Sequence, residues 1–117
     1  MGTVFLACKE SGAHPLHREA ILGGKAGHTS LTRGFTGRLA RGIHNELLQS
    51  LNQPETEILP YPLQRALMRN LALPAQKAGK AGLLALWAGQ SANLAHCPSV
   101  VELLESLVSG AAERIKC

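Results

Sequence analysis

Leu31-Thr32-Arg33-Gly34-Phe35-Thr36-Gly37-Arg38-Leu39-Ala40-Arg41-Gly42 is the stretch on which the fold reading turns, because neither overall composition nor hydrophobic periodicity accounts for it. From Thr29 to Phe35, Leu31, Arg33 and Phe35 fall on one side of an extended chain, and Gly34 and Gly37 bracket a turn. A short strand or extended loop is expected here. Arg33, Arg38 and Arg41 carry guanidinium forks that suit phosphate or carboxylate. The structural alternative has Arg33 and Arg38 bridging carbonyls or carboxylates between packed segments. A second unexplained element, Leu86-Trp87-Ala88-Gly89-Gln90, lies downstream.

Working outward, Val4 to Cys8 is a run without a polar residue, and Thr3 to Ala7 reads as a parallel strand buried on both faces. Pro15 can start a helix through Leu22, where its missing N–H costs nothing, and Gly23-Gly24 would end it. Ala40 to Leu51 reads as a helix through Ile43, Leu47, Leu48 and Leu51, closed by Asn52-Gln53-Pro54. Pro54, Pro60 and Pro62 impose an irregular connection. A helix from about Leu63 to Leu71 is expected from Leu63, Leu67 and Leu71, followed by a mobile basic linker from Lys77 to Gly82. Helical patterning returns at Leu83 to Ala95 and stops at Pro98. Ser99-Val100-Val101-Glu102 matches a capping box, and the helix it starts is expected to bury Val101, Leu104, Val108, Ala111 and Ile115.

The 117 residues allow one domain at most, and 45% hydrophobic content suits one modest core. A formal charge of +4 permits contact with anionic partners but does not specify one. Phe5, Phe35, Tyr61 and Trp87 are too few and too separated for a nucleic-acid stacking platform, so no nucleic-acid role is expected. No apolar run reaches the roughly 18–20 residues of a membrane helix, and the start lacks a secretory signal pattern. Cys8, Cys97 and Cys117 show no pairing or metal-ligand spacing, which suits reduced thiols in a cytoplasmic protein.

His14 and His17 could share a helical face, but a metal site needs a third ligand and a supporting shell. They are expected on the surface, no metal is expected, and His28, His44 and His96 are scattered. Ser11 lacks the strand and flanking glycines of a nucleophile elbow and suits a cap or turn. Gly2-Thr3 is chemically apt for an anion: glycine permits close main-chain approach, and threonine adds a hydroxyl beside its own N–H. For Trp87 and Gln90 two readings stand. Either Gln90 contacts a ligand with Gly89 allowing close approach, or Trp87 anchors helices in an apolar pocket while Gln90 satisfies main-chain groups.

Met1-Gly2-Thr3-Val4-Phe5-Leu6-Ala7, Leu31 to Gly42 and Leu86 to Gln90, in that order, resemble the C-terminal third of nitronate monooxygenases, the flavin enzymes once called 2-nitropropane dioxygenases. The resemblance runs from Met1 to about Ile115, although Gly23 to Gly27 and Lys77 to Gly82 are more glycine-rich than the family pattern. Such enzymes are built on a TIM-type (β/α)8 barrel of roughly 250 residues. The resemblance therefore implies a C-terminal fragment of an FMN-binding barrel with its added helical segment, mostly α with one or two short strands. Residues 1–28 would hold the last barrel strand and following helix, 29–82 the added helical segment, and 83–117 the helices returning to the barrel. Met1 would correspond to an internal methionine, with the N-terminal part of the barrel outside this sequence.

By the same resemblance, FMN is the expected cofactor, with Met1, Gly2 and Thr3 forming one side of its phosphate cradle and Gln90 lying near the flavin or the nitronate. The family's histidine base lies upstream, so no catalytic residue is expected in this chain. The intact enzyme would oxidise a small nitronate or nitroalkane with O2, and the chain alone would not turn over. Two alternatives stand beside this reading. One is a fragment of a flavin-dependent enoyl reductase of the same fold. The other is a helical interaction module that pairs with a separately encoded N-terminal barrel fragment.

Overall fold

A β-hairpin organises the chain around it. In the computed structural model, which describes residues 2–96 and 98–115, β1 (Thr29–Thr32) pairs antiparallel with β2 (Ala40–Ile43). Thr29 lies opposite Ile43 and Thr32 opposite Ala40. The segment after residue 83 joins this hairpin as an extended edge. Ile43 N–H donates to the Leu86 carbonyl at 2.8 Å, Ala88 N–H donates to the Arg41 carbonyl at 3.2 Å, and Gly42 bridges Trp87.

Among the described residues, five helices surround this core in the order α1 (Gly2–Ala7), α2 (Pro15–Leu22), α3 (Glu46–Leu51), α4 (Leu63–Lys77) and α5 (Val100–Ile115). As expected, Pro15 opens α2 and Gly23 closes it. His14 reinforces that start, its Nδ1 accepting from Leu16 N–H at 3.2 Å. The capping box is present: Glu102 N–H donates to Ser99 Oγ at 3.2 Å and Ser99 N–H donates to Glu102 Oε2 at 2.8 Å. The three-proline connection before α4 is irregular, as the missing N–H groups require.

Three segments differ from the sequence expectation. Thr3 to Ala7 is helical, not a strand, because an unbroken apolar run fits either state and no described strand lies beside it to complete a ladder. A helix lets the segment pair its own backbone, and the Cys8 thiol continues this by donating to the Val4 carbonyl at 3.5 Å. Ala40 to Leu51 is not one helix. Its first four residues pair with β1, and Asn45 then caps α3, its Oδ1 accepting from Leu48 N–H at 2.9 Å. Leu83 to Ala95 is extended between two single 3-10 turns, Ala81–Leu83 and Ala92–Leu94, since its backbone groups are taken by β2.

α4 also runs beyond Leu71, through Pro74, which removes only one backbone donor. The segment Lys77 to Gly82 begins with a built terminus in place of a loose linker. Gly79 sits at φ +67°, Lys80 N–H donates to the Ala75 carbonyl at 2.9 Å, and Gly79 N–H donates to the Gln76 carbonyl at 3.1 Å. That is a Schellman closure, and glycine adopts its left-handed position without steric cost.

The interior has two clusters. Ala7, Ile21, Ala26, Ile43, Leu84, Leu86, Ala88 and Ala92 join α1 and α2 to the sheet, whereas Phe35, Leu47 and Leu48 pack with Met68 under α4. The two outer helices carry apolar faces that turn away from this interior. Val101, Leu104, Val108, Ala111 and Ile115 are exposed, contrary to expectation, and Leu103 is the residue of α5 that is buried. Leu63, Leu67 and Leu71 of α4 are likewise exposed, while Gln64 and Ala75 face inward. Periodicity identified both helices, but an apolar stripe does not require that its cover come from the same chain.

Candidate functional site

The Leu31 to Gly42 motif is a scaffold seam. Thr32 is buried, and its Oγ1 accepts from Gly34 N–H at 2.9 Å, folding the chain back after β1. A Cβ on Gly34 would lie 2.5 Å from Leu51 Cβ. The turn then drives Phe35 into the interior, whereas Leu31 and Arg33 stay exposed, so the expected common side of these three residues does not form. Gly37 has φ +93° and packs so closely on the Leu59 to Tyr61 backbone that a Cβ would approach Tyr61 N to 2.5 Å. The Arg38 guanidinium lies over the Tyr61 ring, 4.1 Å from its centroid, and Arg41 Nη1 donates to Thr29 Oγ1 at 3.1 Å. Both arginines thus serve the seam, Arg38 through an aromatic face instead of the expected carbonyl or carboxylate.

A different place has the geometry of a binding site. Thr3 Oγ1 accepts from Gly89 N–H at 2.9 Å, across 86 positions of sequence, and so joins the start of α1 to the Trp87–Gln90 segment. Beside this contact is a hollow of about 430 Å³ lined by Thr3, Val4, Gly89, Gln90, Ser91, Ala92, Leu94, Ala95, His96, Leu103 and Leu107. Its lining is apolar at Val4, Ala92, Leu94, Ala95, Leu103 and Leu107 and polar at Thr3, Gln90, Ser91 and His96. Gly2, next to Thr3 in sequence, is exposed, with no atom within 4 Å of where a Cβ would be. Of the sequence-expected residues, Thr3 and Gln90 both line the hollow, Gly2 does not, and Met1 lies outside the described residues. His96, Leu103 and Leu107 carried no local sequence signal for this role.

The rim chemistry favours acceptor groups. Because Thr3 Oγ1 already accepts from Gly89 N–H, its own hydrogen is available to donate. The first N–H groups of α1 have no intrahelical acceptor, and the Gln90 amide is exposed. Among the lining residues, His96 is the side chain that can carry positive charge.

The family profile for nitronate monooxygenases matches residues 1–110. The chain belongs to that family. A probable nitronate monooxygenase of Staphylococcus haemolyticus is 40% identical over 92% of this chain and 30% of its own length. One of Bacillus subtilis strain 168 is also 40% identical, over 92% of this chain and 31% of its own length. The chain thus spans about 30% of the length of these curated relatives. Among solved structures, a nitroalkane oxidase from Streptomyces ansochromogenes superposes with a TM-score of 0.84 at 39% identity, covering 97% of this chain and 32% of that one. A FabK mutant from Thermotoga maritima superposes at TM-score 0.68 with 22% identity, a likeness of fold alone.

The remaining polar residues make structural contacts. His17 Nε2 donates to the Trp87 carbonyl at 2.8 Å, a contact between residues 70 apart that no sequence pattern signals. His28 and His44 stack with ring centroids 4.6 Å apart. Ser11 Oγ accepts from Ala13 N–H at 3.1 Å, the turn role expected of it. Trp87 is 38% exposed and meets Phe35 edge-on at 5.1 Å, so it ties the rim segment to the seam. No group of His, Cys, Asp and Glu suited to a metal ion occurs among the described residues. No described helix is long and apolar enough to cross a membrane.

One titration stands out. Glu102 has its carboxyl held below the ordinary carboxylate range, first by the Ser99 backbone N–H, then by the Ser99 hydroxyl, with Lys9 adding a favourable charge. Glu10 supports the same helix start, its Oε2 accepting from Val100 N–H at 3.1 Å.

Proposed function

We propose that this chain is the C-terminal part of an FMN-dependent nitronate monooxygenase that oxidises alkyl nitronates with O2, and that it supplies one rim of the cofactor site. The observation that carries the reading is the Thr3–Gly89 hydrogen bond beside the hollow, since it gathers a hydroxyl, a flexible glycine backbone and the Gln90 amide at one edge. Donors of this kind suit the phosphate end of the cofactor, and the apolar lining residues suit a flat aromatic body. The fit is of one side. A phosphate carries nearly two negative charges, and the rim offers hydroxyl and amide donors without an arginine or lysine, so further donors belong to the other two-thirds of the enzyme.

When bound, FMN supplies the redox chemistry between nitronate and O2. The residues here bind and orient: Gly2 leaves the approach open, Thr3 donates its hydroxyl hydrogen, and Gln90 presents its amide at the hollow's edge. In this reading Gly2-Thr3 forms one side of the phosphate cradle. Residues 29–82, the hairpin with α3 and α4, form the added segment, and the chain from residue 83 onward returns to the TIM-type barrel, covering the site. The base that accepts a substrate proton lies elsewhere in the enzyme, so the chain by itself is inactive. The exposed stripe of α5, Val101, Leu104, Val108 and Ile115, lies on the helix whose Leu103 lines the hollow, and it suits cover by the rest of the barrel.

A chimera tests this. The upstream two-thirds of the Bacillus subtilis relative, joined to this chain in place of its own C-terminal part, should purify yellow and consume O2 when given an alkyl nitronate. The 117-residue chain alone should do neither. A folded chimera lacking flavin and nitronate-dependent O2 uptake would contradict the proposal.

A further inference from the structure

The Trp87–Gln90 segment has β2 on one edge and no described strand on the other. Two of its outer polar groups are nevertheless occupied by side chains from the first two helices. His17 of α2 donates from Nε2 to the Trp87 carbonyl at 2.8 Å, and Thr3 of α1 accepts from Gly89 N–H at 2.9 Å. A carbonyl oxygen can only accept, so His17 must carry its hydrogen on Nε2. These two bonds bracket Ala88, whose side chain is buried in the main cluster and whose N–H is on the Arg41 carbonyl.

We infer that His17 is a positioning residue for the hollow's rim, acting through the Trp87 carbonyl, and that with Thr3 it stands in for the missing neighbour strand. An edge segment followed by a glycine would otherwise open readily, because it has half a ladder and a flexible joint. His17 does not line the hollow. Its effect on a ligand is therefore exerted by fixing where Gly89 N–H and the Gln90 side chain stand. The part of the inference that concerns flavin rests on the proposed function, whereas the clamp itself does not.

The test exploits Trp87, the chain's single tryptophan. In the 117-residue chain, His17→Phe keeps a ring but loses the donor. Ala88 and Gly89 amide hydrogen exchange should accelerate about fivefold, the worth of one hydrogen bond, and Trp87 should become more open to acrylamide quenching. Leu48 N–H, in the other cluster, should exchange as before. His17→Gln, which restores an N–H donor, should return both readouts toward the parent, a rescue that simple loss of packing would not show. Thr3→Val should accelerate Gly89 in the same way. In the chimera described above, His17→Phe should weaken FMN retention by a similar factor and His17→Gln should recover it. Unchanged Ala88 and Gly89 exchange in His17→Phe would overturn the clamp, as would failure of His17→Gln to restore it. Faster exchange with unaltered FMN retention would overturn the positioning role. If the chimera with His17 intact holds no FMN, the proposed function fails, and the exchange pattern still decides the clamp.

Discussion

Gln64→Leu isolates the bond pair that closes the seam between the Leu31–Gly42 turn and the proline-rich connection. Gln64 is 2% exposed, its Nε2 donates to the Gly34 carbonyl at 2.7 Å, and its Oε1 accepts from Leu59 N–H at 3.0 Å. Leucine fills nearly the same space but satisfies neither group. Stranding a buried polar group costs about 1–3 kcal/mol, so two would cost about 2–6 kcal/mol. Leu59 N–H is only part-buried, which lets water recover some of its share, and the added apolar side chain returns roughly 1 kcal/mol. The net expectation is about 2–3 kcal/mol, a large part of the ~5–15 kcal/mol that holds a typical domain. Urea unfolding of the 117-residue chain should show a lower midpoint with an unchanged slope, since the surface exposed on unfolding is the same. Gln64→Glu should be at least as damaging, because a carboxylate aims negative charge at the Gly34 carbonyl. A Gln64→Leu midpoint within about 0.5 kcal/mol of the parent would refute the claim that this side chain holds the seam.

Gly37→Ala should lower stability by at least ~2 kcal/mol, because φ is +93° and the new Cβ would meet backbone atoms of Leu59 and Tyr61 that cannot swing aside; an unchanged melting temperature would count against that packing. Asn45→Ala removes the α3 cap and the Nδ2 bond to the Leu84 carbonyl at 2.8 Å, so a loss of roughly 1–3 kcal/mol is expected, with faster exchange in α3. The start of α5 should also depend on acidity. Glu102 has a depressed folded pKa, so its contribution is present above the ordinary carboxylate pKa and is lost as pH falls through the folded value. Carboxyl chemical shifts and amide exchange at Val100 to Leu103 should follow that midpoint, and Glu102→Gln should abolish the dependence; fraying at the same pH in the variant would rule the cap out.

Local chemistry made several features legible from residues alone. Pro15 and Gly23 bound α2, Ser99 and Glu102 start α5, and Gly34 and Gly37 mark a turn, each because one residue type satisfies a backbone need that others do not. What was not legible involved choices made by distant neighbours. Ala40–Ile43 has helical spacing, yet β1 offers it a ladder; Leu84–Gly89 has helical composition, yet β2 claims its backbone. Thr3–Ala7 was ambiguous by length and pattern, and without an adjacent described strand it is helical. The phase of α4 and α5 misled for another reason. Their leucine and valine stripes announce a partner surface, and this chain, about 30% of the length of its curated relatives, does not supply it. At the site, family resemblance points to Gly2, Thr3 and Gln90, of which Thr3 and Gln90 line the hollow, and it leaves His17 out. The partner of His17 is a main-chain carbonyl 70 residues away.

The account stands most directly on FMN affinity in the chimera, read by flavin fluorescence for the parent, Thr3→Ser and Thr3→Val. A hydroxyl donating to an anionic group is worth about 1.5–3 kcal/mol, so Thr3→Val should weaken binding roughly ten- to hundredfold, while Thr3→Ser stays near the parent. Equal FMN affinity for Thr3→Val and the parent would contradict the assignment of this rim to the cofactor.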